Sequence, residues 1–118
     1  MTHDEFVYRT LSEVCPGTKD EWPVGDAPPL PWFTFTHRRG GEVYADDDVY
    51  AELQPYQIEL LYKENDPDLV SRFKVALRKI GTYRFYDDGY LDSEKCMHAV
   101  FLITLQPDKE REAQDGQH

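Results

Sequence analysis

The chain has 118 residues and a formal net charge of −10, enough for one domain with a modest core. So acidic a surface repels phosphate backbones and anionic lipid, which argues against general nucleic-acid or membrane-surface binding. No stretch approaches the ~18 consecutive apolar residues of a membrane span. The start, Met1-Thr2-His3-Asp4-Glu5, lacks the basic and then apolar segments of a secretory leader, so a soluble cytoplasmic protein is expected. Cys15 and Cys96 stand far apart and form no metal-binding spacing. Two reduced thiols are the expectation.

A helix is predicted over residues 3–14. Thr2 with Glu5 three residues later fits a capping box, and Pro16-Gly17 ends the element. Pro23, Pro28, Pro29 and Pro31 make residues 18–31 a loop lying along the body, with room for a short edge strand near 22–24. Trp22 reads as the anchor of that loop to the core rather than as a ligand site. Residues 31–37 alternate aromatic and β-branched side chains, the signature of a strand. Gly40-Gly41 then signals a hairpin with a return strand over 42–45. Asp46-Asp47-Asp48 cannot be buried together and reads as an exposed connection. A third strand is predicted over 49–62, with Pro55 marking a bulge or its true start.

Asp66-Pro67 is the clearest local signal in the chain, an N-cap followed by a residue pre-organised for the first helical turn. The second helix is predicted over 67–80, with Leu69, Phe73, Leu77 and Ile80 at helical spacing and Gly81 as a left-handed cap. Two strands follow, over 82–87 and 94–105, joined by a turn at Asp87-Asp88-Gly89. The last strand is apolar on both faces near its end and reads as a central one. Residues 106–118 carry almost no apolar side chains and form an expected disordered polar tail behind a 1–105 domain. The fold class is α+β in the order α-β-β-β-α-β-β, a mostly antiparallel sheet with two helices packed on one face. Two helices are too few to cover both faces of five strands. A bare face or edge is the sequence-level argument for self-association.

Catalytic signatures are missing from the sequence. There is no glycine-rich phosphate loop, no HExxH and no GxSxG, and no two histidines lie three or four residues apart. Asp46-Asp47-Asp48 and Asp87-Asp88 read as solvated or partner-facing carboxylates rather than a metal site. Cys96 and His98 share a strand face, so a thiol–imidazole pair is geometrically open, but their apolar surroundings favour packing. The expectation is a non-enzyme with no catalytic, cofactor-binding or metal residues and no cofactor.

The middle of the chain resembles the tail-terminator, or tail-completion and head–tail joining, proteins of long-tailed bacteriophages and prophages. The resemblance rests on features in order over about residues 30–105. Pro31-Trp32-Phe33-Thr34-Phe35 leads to the polar turn of residues 38–41. Val43-Tyr44-Ala45-Asp46-Asp47-Asp48-Val49-Tyr50 and Tyr56-Gln57-Ile58-Glu59-Leu60 follow. Lys63-Glu64-Asn65-Asp66-Pro67 then opens a helix, and Ser93-Glu94-Lys95 precedes the last strand. The proline-rich stretch 23–31 and the tail after Leu105 have no counterpart in that pattern.

The resemblance implies an α+β subunit of a homo-oligomeric ring, a hexamer in the virion, at the head-proximal end of the tail. Such a ring stops the tail tube, offers a surface to the head connector and uses no cofactor. Its partners would be further copies of itself, the tail tube protein and the head connector protein, with host cytoplasm as the site of assembly. DNA would pass through the lumen without specific binding, and carboxylates lining that lumen would repel it. Arg38 and Arg39 against Asp46, Asp47 and Asp48 form a candidate protein interface, their opposite charges pairing between neighbours to fix register. The rival readings are another head–tail connector or head-closure protein, a small acidic protein-binding regulator, and an enzyme built on Cys96 and His98 or a carboxylate-bound metal.

Overall fold

A computed structural model describes residues 2–37 and 55–106. Local chemistry sets the helix starts. Thr2 Oγ1 accepts the Glu5 N–H at 3.1 Å and caps α1 (His3–Ser12), whose first turn carries Asp4 and Glu5 at the positive end of the helix dipole. Pro67 opens α2 (Pro67–Arg78); Asp66 holds the cap position without a side-chain capping bond, and Arg78 stands at the negative end. The strands are β1 (Gly17–Lys19), β2 (Trp32–His37), β3 (Tyr56–Tyr62), β4 (Gly81–Leu91) and β5 (Cys96–Leu105).

These strands form one sheet in the order β1-β2-β3-β5-β4. β1 pairs parallel with β2, and every other pairing is antiparallel. The α+β class and the order α-β-β-β-α-β-β agree with the sequence pattern, but the strands that fill the order differ. A strand not in the predicted order, β1, forms directly after Pro16 and precedes the predicted first strand at 31–37; no strand forms near 22–24, and residues 20–31 are the crossover that a parallel pair requires. The predicted return strand over 42–45, residues 49–54 of the third strand, and the polar tail beyond 106 lie outside the described residues.

Two local readings are overturned. Asp87-Asp88-Gly89 is not a turn: β4 runs through it to Leu91, and the chain reverses at 92–95, where Lys95 takes a φ of 53°. The ladder to β5 outweighs the turn propensity. A bulge between Phe85 and Asp87 absorbs the irregularity, and Asp88 gains a partner by accepting the Tyr62 hydroxyl at 3.0 Å. Gly81 is not a left-handed cap but the first residue of β4. A side chain there would meet the Thr104 carbonyl oxygen at 2.0 Å, so the close backbone approach is what requires glycine.

Both helices lie on one face of the sheet. Alternation sends Phe33 and Phe35 of β2, Ile58 and Leu60 of β3, and Phe101 and Ile103 of β5 to that face. Phe6, Val7 and Leu11 of α1 and Leu69, Phe73, Ala76 and Leu77 of α2 close over them. Phe73 sits centrally, its ring 5.7 Å from Phe33 and 5.8 Å from Phe101. At the narrow edge, the Phe33 ring lies against Gly17, where any added Cβ would overlap it at 2.0 Å. Each fully buried side chain of this size contributes roughly 1.5–3 kcal/mol of hydrophobic stabilisation.

Phe73→Ala is therefore expected to lower unfolding stability by about 3–5 kcal/mol, read from urea denaturation. Val75→Ala, two residues away on the same helix but 50 % exposed, should change it by less than about 0.5 kcal/mol. Equal losses at the two sites would contradict the one-sided core.

Candidate functional site

The second face of the sheet carries the other half of the alternation: Trp32 and Thr34 of β2, Glu59 and Leu61 of β3, and His98 and Val100 of β5. Leu61 pairs with His98 and Glu59 with Val100, which sets Glu59 and His98 on a diagonal. Their side chains meet, Oε1 to Nε2, at 2.9 Å.

Among the described residues no helix covers this face. The crossover loop lies on it instead, because the parallel β1–β2 pair forces the chain back over the sheet. Trp22 from the loop meets Trp32 edge to face, with ring centroids 6.0 Å apart and planes at 79°. Trp22 thus anchors the loop, as its sequence context suggests, but onto the second face rather than the core. Its indole Nε1 is buried without an acceptor among the described residues.

Between loop and sheet lies a groove of about 540 Å³. Thr34, Glu59, Leu61 and His98 form its floor; the loop over 20–27 makes one wall, and Leu91, Ser93 and Glu94 make the other. Asp20, Glu21, Glu59 and Glu94 give its lining four carboxylates, and among the described residues no lysine or arginine lines it. Among the described residues, no three histidine, cysteine or acidic side chains converge to hold a metal ion.

A second feature is the outer edge formed by β4. Its residues Phe85, Tyr86 and Tyr90 are 40 %, 67 % and 51 % exposed. Lys74 of α2 stands over the Phe85 ring at 4.8 Å, and Arg78 over Tyr83 at 5.8 Å. Arg84, Asp87 and Asp88 are exposed along the same strand.

Neither cysteine is poised as a nucleophile. Burial pushes the Cys15 thiol up to about 12, against a weaker opposing influence from the Arg72 charge. Burial, with the Glu94 charge beside it, also raises Cys96. Cys96 and His98 do share a face, but the His98 ring nitrogen is engaged by Glu59.

Arg38, Arg39, Asp46, Asp47 and Asp48, the candidate interface residues of the sequence, lie outside the described residues. Sequence reasoning missed the groove. Its only signals were the exposed-face alternation of Glu59 with Leu61 and the two tryptophans, and no local rule brings Trp22 to Trp32. Comparison with known protein families, with curated proteins and with solved structures finds no match to this chain. No helix among the described residues is long and apolar enough to cross a membrane.

Asp4 ties the layers together near the β1 edge. It accepts Lys19 Nζ of β1 at 2.7 Å and the hydroxyl of Tyr56 of β3. Burial alone would raise its pKa, but the bonds from Lys19 and Tyr56 and the Lys19 charge outweigh it and hold the carboxyl below its ordinary value. A depressed folded-state value stabilises the fold above the unfolded pKa, and that contribution is lost as pH falls through the folded one. Denaturation midpoints should thus decline below about pH 4 in the parent chain, and Asp4→Asn should lower the midpoint at neutral pH and flatten that decline. An unchanged pH profile in Asp4→Asn would show the clip to be inert. Thiol titration supplies a separate check: both cysteines should resist alkylation at pH 8 in the folded chain and react once urea unfolds it.

Proposed function

We propose that this chain is a structural assembly subunit of a long-tailed phage. Copies of it form a ring at the head-proximal end of the tail, terminate the tube and join it to the head connector. The observation that carries this reading is the one-sided sheet, which ends on an eleven-residue edge strand with three exposed aromatic side chains. An edge of that length offers a row of backbone groups and aromatic area to another chain. The opposite edge, β1, has only three residues. Two such unequal edges suit a head-to-tail contact, the kind that closes into a ring, better than a two-fold dimer.

The same strand carries Asp87, Asp88 and the Phe85/Asp87 bulge, devices that discourage indiscriminate edge pairing. A subunit that waits unassembled until it docks on a tube needs both properties. The acidic net charge fits a lumen through which DNA slides without adhering. The order of short signatures from Pro31 to Leu105 supports this identification over other edge-pairing proteins. A head-closure subunit of the same fold class and charge is the nearest rival reading. The acidic groove favours a different reading, a regulator that binds one basic protein, and that reading calls for a monomer or dimer with no ring.

Deleting the gene in its source phage or prophage and viewing particles by negative-stain electron microscopy separates these readings. Tails of abnormal length lying free beside filled heads are the expected result. Heads that lose DNA beside tails of normal length would move the chain to head closure, and unaltered particles would overturn the assembly role. The paired change Tyr86→Lys and Tyr90→Lys should keep the parent's unfolding free energy within about 0.5 kcal/mol and fail to rescue the deletion.

A further inference from the structure

The groove on the second face goes beyond tail assembly as such, because its chemistry specifies what it would hold. Its lining is acidic and aromatic at once, with Asp20, Glu21, Glu59 and Glu94 around two tryptophans set nearly at a right angle. Four carboxylates with no lysine or arginine beside them among the described residues favour a cation. The carboxylates are spread over the floor and both walls, and among the described residues they do not converge as metal ligands do. A flat, delocalised cation matches that spread: it stacks on an indole face while its N–H fork reaches separate carboxylates.

We propose that this groove is a docking site for an arginine side chain of a basic protein partner, presented on an extended segment. The volume, about 540 Å³, lies in the range of small-ligand clefts, which leaves room for one long side chain. Thr34 and Leu61 give the floor a polar and an apolar contact beside the charge. Glu59 is the central acid, and His98 beside it on the floor orients the carboxylate through the 2.9 Å contact. Glu94 enters from the turn after β4 and closes the opposite rim. Arginine is preferred to lysine because an ammonium engages carboxylates as a point charge and cannot fork across the groove.

The chain contains two tryptophans, Trp22 and Trp32, and both line this groove. Intrinsic tryptophan fluorescence therefore reads its occupancy without a label. The probe is an acetylated, amidated hexapeptide Gly-Ser-Arg-Ser-Gly-Ser, titrated into the full chain at low salt. Parallel titrations use the same peptide with Gln or Lys for Arg, spermidine, and Mg²⁺.

The expected result is a saturable emission change with the arginine peptide, weakened by salt. It should be at least roughly tenfold weaker for the glutamine peptide and for Glu59→Gln. Glu94→Gln, in an exposed turn, should weaken it as well and keeps the test decisive if Glu59→Gln perturbs folding. No change with the arginine peptide overturns the proposal, as does equal binding of the glutamine peptide. A larger response to spermidine or Mg²⁺ than to the peptide also overturns it, in favour of a small-cation site. An emission shift that depends on protein concentration alone would give the groove to a second copy. None of these outcomes depends on ring formation, so failure here leaves the assembly reading standing, and failure of assembly leaves the groove standing.

Discussion

A five-stranded sheet has two faces, and the helices among the described residues cover one. Everything else in the structure follows from that shortage. α1 and α2 close over Phe33, Phe35, Ile58, Leu60, Phe101 and Ile103 and spend their apolar stripes there. The second face is left to a proline-rich crossover that brings two tryptophans together but builds no second core. Burial on the helical side supplies the stability, and the other side carries the groove between loop and sheet.

The parallel β1–β2 pair is the device that connects the two halves. It is only three residues long, yet it obliges residues 20–31 to cross over the sheet and so creates the groove. Asp4 secures that edge by joining α1 to Lys19 of β1 and to Tyr56 of β3. A short parallel strand would be marginal alone. Here it is held by the Phe33 ring lying over Gly17 and by the Asp4 clip.

Sequence pattern was strong where one residue's neighbours decide its state and weak where distant partners do. The Asp66-Pro67 start and the Leu69, Phe73, Leu77 stripe locate α2 because capping and helical period are local. The β5 strand is legible from its continuous apolar run. Asp87-Asp88-Gly89 misleads because turn propensity competes with a ladder partner that no local rule displays, and because Tyr62, twenty-six residues earlier, supplies the hydroxyl that Asp88 accepts. β1 is invisible for the same reason: Gly17-Thr18-Lys19 has no strand signature and pairs only because β2 is there to receive it. Of the groove, only its separate members were legible. Glu59 and His98 are thirty-nine residues apart and meet through the register of β3 on β5.

The central claim is that the bare edge of β4 is completed by another chain in the assembled tail. Hydrogen–deuterium exchange, compared between the isolated subunit and purified tails, tests it most directly. Alternate amides of Gly81–Leu91 point away from β5 and have no ladder partner among the described residues. The account predicts that peptides covering this strand exchange rapidly in the subunit and become protected in tails, with little change in the α2 core. Equal exchange of β4 in the two states, with protection appearing elsewhere, would contradict it.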